Sequence, residues 1–337
     1  MKAAILNGPK TFSIENIAMP EPAWGEVRIK LKHVGICGSD VHLYLGHRLL
    51  EAPMIIGHEG IGVIDAIGSG VEGRTAGERV AIEPNIPCRQ CEACLQGKGI
   101  HCAHKMVIGL NRAGCFAEYV CLPSAYAWQV PDGISDADAV AIEPMAVAVH
   151  ALFSSTAKPG DCIAVIGLGA IGLLLTHLAT ALGYRVLVTE INAEKRAKGI
   201  AMGAMGIVSE ANGEANNDHI RHQYESNRVV TVFECAGVSP TVNMAIAVAP
   251  RNAEVLLLGL SSSHAQFQPL KTVRDGIRIL PALIYDHPFD FRRTIQLIAS
   301  GILHPGRIIS GYARLDELPS AMERAASGNE SKLVIQM

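Results

Sequence analysis

An apolar run, Cys162 to Ile166, breaks on the hexapeptide GLGAIG at 167–172, after which Leu173 to Leu182 has helical periodicity. Strand, glycine turn and helix in that order form the cradle a dinucleotide pyrophosphate requires. Gly167 permits the tight turn, Gly169 leaves room for the phosphate, Gly172 lets helix pack on strand, and Ala170 and Ile171 complete the turn. The helix N-terminus then offers free amides and the positive end of its dipole to the anion. A second run, Arg185 to Thr189, ends in Glu190, 18 residues beyond Gly172. A carboxylate there accepts hydrogen bonds from an adenine-ribose diol and repels the extra phosphate of NADP, which favours NAD. Lys195 weakens that preference, because a nearby cation accommodates phosphate. The plainer alternative for Glu190 is a solvated residue at a strand end.

This motif opens a longer pattern. From about Pro144, the apolar runs Cys162 to Ile166, Arg185 to Thr189, Val229 to Phe233, Glu254 to Leu258 and Ile277 to Leu283 alternate with helical stretches. That alternation predicts βαβ units and a doubly wound parallel sheet. Upstream, short strands at Val27 to Val34, Ile61 to Ile67, Arg79 to Ile82 and Phe116 to Leu122 are separated by Gly- and Pro-rich turns. Downstream of Asp286, the pattern predicts helix at Phe291 to Ser300, strand at Gly306 to Tyr312, helix at Leu315 to Ser327 and strand at Lys332 to Gln336. We expect a first domain over 1–144, a nucleotide-binding domain over 145–285, and a return over 286–337 that completes the first. With 337 residues, 49% of them apolar, two cores are the default.

The formal net charge is −3 and no basic run occurs, so nothing recommends nucleic acid as a partner. No segment has the length and apolarity of a membrane span, and Met1 to Lys10 lacks the apolar stretch of a signal peptide. Nine cysteines without an export signal fit a reducing cytoplasm.

Four of those cysteines, Cys88, Cys91, Cys94 and Cys102, form CxxCxxCx7C in a loop spanning about 84–104. Thiolates at this spacing meet around a tetrahedral zinc without help from a large core. Buried structural thiols would need apolar neighbours, whereas these stand among Arg89, Gln90, Glu92, Gln96 and Lys98. Four sulfurs leave no open position, so this zinc is structural. His101 and His104 flank the last cysteine and read as surface residues.

Further metal ligands remain. Cys37 lies in GICGSD, His58 and Glu59 in GHE, and Glu143 in AIEPMAVAVH. Gly35, Gly38, Gly57 and Gly60 surround the first two, as suits backbone that passes close to a ligand. Separately, Cys37 reads as a small core residue and His58 as a structural histidine; only their joint occurrence points to an open zinc, which lowers the pKa of an alcohol as a Lewis acid.

From GEVRIKLKHVGICGSDVH through GHE, the cysteine loop, GCFAEYV and IEPMAVAVH to GLGAIG, the chain resembles the zinc-containing medium-chain alcohol dehydrogenases. The resemblance implies a GroES-like β-barrel domain beside the Rossmann domain, with a catalytic zinc in the cleft held by Cys37 and His58. Glu59 then binds directly or exchanges with water. Glu143 stands where ethanol-type members carry cysteine and where the sorbitol, threonine, idonate and galactitol-phosphate branch carries glutamate. Ser39 and His42 fall at proton-relay positions, imidazole being the side chain that exchanges protons near neutrality. Glu118 matches a family residue lining the site, while Cys115 and Asn111 depart from the pattern at positions where relatives carry glycine and histidine.

The expected reaction is reversible oxidation of a secondary hydroxyl of a polyol, sugar acid or sugar phosphate by NAD, with two zinc ions per chain. Tyr44, His47 and Arg48 are polar groups available to such substrates, Arg48 reading first as solvated surface. Family likeness favours a homodimer or homotetramer, through the Rossmann sheet edge. Threonine-type amino-alcohol oxidation, a non-catalytic NAD and zinc sensor, and a zinc hydrolase are the alternatives.

Overall fold

The computed structural model of the chain describes residues 1–48, 53–208, 214–261 and 263–337. They group into two compact units, one comprising Met1–Glu143 with His287–Met337 and the other Pro144–Asp286.

The first unit begins with β1 (Lys2–Gly8), β2 (Thr11–Asn16), β3 (Glu26–Gly35), α1 (Gly38–Tyr44), β4 (Glu59–Ile67), β5 (Arg79–Ile82) and β6 (Asn85–Ile86). It continues through α2 (Glu92–Leu95), β7 (Met106–Val107), β8 (Tyr119–Pro123), β9 (Ala127–Gln129), α3 (Asp136–Val140) and the start of α4 (Ile142–Ser154). β3 explains the architecture. Its Ile29 and Leu31 are buried while Lys30 and Lys32 are exposed, the period-two pattern of a strand with one face on a core. Being ten residues long, it pairs antiparallel with β4 and with β8.

The second unit carries β10 (Cys162–Ile166), α5 (Ala170–Ala181), β11 (Arg185–Glu190), α6 (Ala193–Ala201), β12 (Met205–Val208), α7 (Glu214–Ser226), β13 (Val229–Glu234), α8 (Ser239–Val248), β14 (Glu254–Leu257), α9 (Pro269–Arg274) and β15 (Arg278–Pro281). Its six strands are parallel in the order β12-β11-β10-β13-β14-β15. This is the doubly wound arrangement, with the strand order reversing beside β10. All five residues of β10 are buried, as a strand covered on both faces must be.

The chain then returns to the first unit with α10 (Phe289–Ala299), β16 (Gly311–Arg314), α11 (Leu318–Ala326) and β17 (Leu333–Gln336). β17 pairs antiparallel with β3, Val334 opposite Gly35, and parallel with β16, completing a seven-stranded sheet. Fully buried Glu83 fastens this return: its Oε2 accepts Trp128 Nε1–H at 2.6 Å and lies 2.8 Å from His287 Nδ1.

Local differences from the sequence reading have simple causes. The strand expected over Gly306 to Tyr312 is a 3-10 turn at Pro305–Ile308, with the strand displaced to Gly311–Arg314; Pro305 fixes φ and has no N–H for a ladder. The helix expected from Leu315 divides into a 3-10 turn, Leu315–Glu317, and α11. β1, β2 and β12 were not anticipated, each being short and mixed in polarity. Among the described residues no helix is long and apolar enough to cross a membrane.

Candidate active site and metal centres

The cysteine loop brings its four sulfurs together. Cys91 Sγ lies 3.5 Å from Cys94 Sγ and 3.8 Å from Cys102 Sγ, and Cys88 Sγ lies 4.0 Å from Cys94 Sγ. A tetrahedron with zinc–sulfur bonds of ~2.3 Å has edges of about 3.8 Å, so these positions fit zinc directly. The loop turns tightly enough because Arg89 adopts a left-handed φ of 62° and Cys91 caps α2. Electrostatics agree with the geometry. The N–H groups of Gln90 and Cys91 draw the Cys88 thiol down to about 6, while burial and the thiols of Cys91 and Cys102 push Cys94 up to about 12. Four crowded thiols do not ionise together unless a cation compensates them.

A second group forms around α1. Cys37 caps its N-terminus, and His58 and Glu59 sit at the start of β4; one ligand atom from each lies within 4.8 Å of the others. His58 and Glu59 are buried, and Cys37 is half-buried. Glu143, in the first turn of α4, is also buried but stands outside this compact triad. Ser39 and His42 lie three residues apart on α1, the first half-buried and the second exposed, with the His47 ring 5.7 Å from that of His42. Tyr44 is buried and stacks on Phe12 at 5.8 Å. Arg48 is exposed. Glu118 accepts the Lys2 N–H at 2.7 Å, and Asn111 braces its own loop through Val107 and Lys105. Cys115 is buried, and burial pushes its thiol up to about 12.

In the second unit, the glycine turn has the expected shape. Gly167 takes φ 87°, and a Cβ on Gly172 would fall 1.9 Å from the Gly167 carbonyl oxygen, so that contact admits no side chain. Around Gly169, which caps α5 and precedes Ala170 and Ile171, the space a Cβ would take is open. Glu190 ends β11 and braces the turn: one oxygen accepts the Leu168 N–H at 2.7 Å and the other the Asn192 N–H at 2.9 Å. A carboxylate has further lone pairs for a ligand hydroxyl. Lys195 lies in the first turn of α6, where its N–H is capped by Asn192.

Comparison with known proteins decides the family. The pattern of the "Alcohol dehydrogenase GroES-like domain" family matches residues 23–132, and that of the "Zinc-binding dehydrogenase" family matches residues 170–300. Sorbitol dehydrogenase of Bacillus subtilis is 31% identical over 331 residues, covering 96% of this chain and 93% of that protein. The chain belongs to the zinc-binding medium-chain alcohol dehydrogenases. Among solved structures, galactitol-1-phosphate dehydrogenase from Escherichia coli superposes with a TM-score of 0.93 at 27% identity, covering 100% of both chains. The rspB alcohol dehydrogenase of E. coli CFT073, complexed with cofactor NADH, superposes at 0.91 with 28% identity, covering 100% of this chain and 99% of that one.

Two residues of this dehydrogenase escaped the sequence reading. Asp40, fully buried, accepts the Cys37 N–H at 2.9 Å through one oxygen and faces His58 Nδ1 with the other. Its signal was present in GICGSD, an acid three residues after the thiol at a helix start. Lys332 is buried and holds Glu59 through both carboxylate oxygens. Its only trace is one lysine leading into an apolar terminal strand.

Proposed function

We propose that this dehydrogenase reversibly oxidises a secondary hydroxyl of a polyol, sugar acid or sugar phosphate to a ketone, with NAD as the partner. The observation that carries the reading is the convergence of Cys37, His58 and Glu59 within 4.8 Å, in a chain that also carries the braced glycine turn at 167–172. Cys37, His58 and Glu59 are assigned to the catalytic zinc, with Glu143 as the further acidic group. Cys88, Cys91, Cys94 and Cys102 are assigned to the structural one. When bound, the catalytic zinc supplies Lewis acidity toward the substrate oxygen and the nicotinamide supplies a hydride acceptor.

The protein's own groups do the rest. Ser39, half-buried in the first turn of α1, takes the hydroxyl proton, and exposed His42 one turn further on passes it to water. Gly167, Gly169, Ala170, Ile171 and Gly172 shape the pyrophosphate cradle, Glu190 receives the adenine ribose, and Lys195, in the first turn of α6, is the cation available to the nucleotide. The polyol class is supported by the likeness to sorbitol and galactitol-1-phosphate dehydrogenases and by a glutamate at 143.

The same reading includes a cytoplasmic homodimer or homotetramer. β15 is an edge strand of the parallel sheet, and neighbouring α9 exposes Leu270 and Val273, apolar surface suited to a second copy. Sedimentation of a monomer at micromolar concentration would remove this part. The principal test measures NADH formation across a panel of polyols, sugar acids, sugar phosphates and threonine, together with zinc content. Two zinc ions per chain and turnover of a polyol-type substrate are expected. Zinc and NAD binding with no hydride transfer to any candidate overturns the reading.

A further inference from the structure

The two strands flanking β10 both end in glutamate: β11 in Glu190 and β13 in Glu234, which stands opposite Ile166 in the ladder. Glu190 braces the glycine turn from one side. Glu234, fully buried, works on the other: its Oε1 accepts the Ala236 N–H at 2.9 Å, the Gly237 N–H at 3.0 Å and the Thr241 hydroxyl at 2.7 Å. Its carbonyl oxygen accepts the N–H groups of Leu258 and Gly259, so the chain leaving β14 is tied to the same residue. The fit is close. A Cβ on Gly259 would fall 2.1 Å from the Gly237 nitrogen and 2.6 Å from Glu234 Oε2, and a Cβ on Gly167 would fall 2.8 Å from the Ala236 nitrogen. Glu234 Oε2 has no hydrogen-bond partner among the described residues. Burying a carboxylate with one oxygen unsatisfied costs stability, so packing alone does not account for an acid at this position.

In a doubly wound sheet the two halves of a dinucleotide lie across the carboxyl ends of the strands on either side of the switch point. Glu190 marks the adenosine side, which leaves the ends of β13 and β14 to the nicotinamide half. Val238 and Leu260, the residues after Gly237 and Gly259, expose apolar side chains there, surface suited to a flat ring. Resting on the NAD reading, we propose that Glu234 is a positioning residue: its carboxylate fixes the backbone ledge of Ala236, Gly237 and Gly259 that receives the nicotinamide half of the cofactor. Without that acceptor, the donors at Ala236, Gly237 and Thr241 lose their common anchor, and the ledge loses the shape that orders the reacting ring.

Calorimetric binding of NADH, and of ADP, which lacks the nicotinamide half, tests this, with the emission of bound NADH as a signature of the ring's surroundings. Glu234→Met keeps the side-chain length and removes the acceptor; it is expected to weaken NADH about tenfold and ADP by less than about twofold. Glu234→Gln, which presents an amide oxygen to the same donors, is expected to retain the NADH affinity and emission of the wild type. Gly259→Ala moves the ledge with the carboxylate intact and should reproduce the Glu234→Met pattern, which keeps the inference testable if the methionine variant does not fold. Equal weakening of NADH and ADP in a folded variant, unchanged NADH affinity in Glu234→Met or Gly259→Ala, or a Glu234→Gln protein as weak as Glu234→Met, overturns the inference. Wild-type protein that binds neither NADH nor ADP overturns the NAD reading itself.

Discussion

Asp40 Oδ1 lies 3.4 Å from His58 Nδ1, within ion-pair distance, and neither atom has a hydrogen-bond partner. The second oxygen of Asp40 accepts the Cys37 N–H, so one buried carboxylate orients two members of the triad. Partners of this kind fix ring orientation and ligand basicity. Asp40→Asn is expected to weaken metal binding at the Cys37 site by roughly 10–100-fold, with the second zinc of the cysteine loop retained. Chelator titration with metal analysis measures both, and an unchanged affinity would remove Asp40 from the site.

Acid should empty the open site of metal. Burial opposes charge on His58, but Asp40 and Cys37 outweigh it and hold its pKa well above 6.5 in the metal-free protein. A raised histidine stabilises the metal-free fold fully below 6.5, and that contribution fades as pH rises through the raised value. Zinc, which needs the neutral ring, therefore competes with a proton over this range. Affinity measured from pH 6 to 9 should climb with pH; a flat profile contradicts the coupling.

The cysteine loop titrates in the opposite sense. Cys88 falls from 9.0 to about 6, so the stability carried by its thiolate is present above 9.0 and lost as pH drops through about 6. Cys94, raised to about 12, still holds its proton at pH 8 and must release it to a metal. Zinc uptake by the metal-free loop is expected to liberate at least one proton at pH 8, detectable by calorimetry in buffers of different ionisation enthalpy. Cys94→Ser should abolish that zinc and lower Tm by roughly 5–10 °C.

Glu190 offers a test of nucleotide choice. Its removal takes away both the brace at Leu168 and a ribose acceptor. Glu190→Ala is expected to weaken NAD binding about tenfold and shift the NAD to NADP ratio toward NADP, as loss of a hydrogen-bonded carboxylate does. Equal preference before and after substitution would show that selectivity lies elsewhere.

At Gly172, any side chain meets the Gly167 carbonyl. Gly172→Val should abolish dinucleotide binding, measured by fluorescence titration, while the cysteine loop keeps its zinc.

The sequence made the parallel sheet legible because buried strands such as CIAVI are short apolar runs with unmistakable neighbours. It made the metal loop legible because ligand spacing there is local. Asp40 and Lys332 were harder to read for different reasons. Asp40 looks like any helix-capping acid until His58, 18 residues on, is brought against it. Lys332 acts across 273 residues on Glu59, and no local pattern encodes such a partner. The displaced strand at Gly311 shows the same limit on a small scale: Pro305 was visible, but the length of turn it imposes was not.

The pairing of β17 with β3 orders events during synthesis. Every strand of the parallel sheet lies between Cys162 and Pro281, whereas β3 waits for a neighbour that begins at Leu333. The nucleotide-binding unit therefore has its full complement of strands while the first unit still lacks two, β16 and β17. A nascent chain passes through a stage in which the acid at Glu59 still waits for its buried counterion, Lys332, from the last strand.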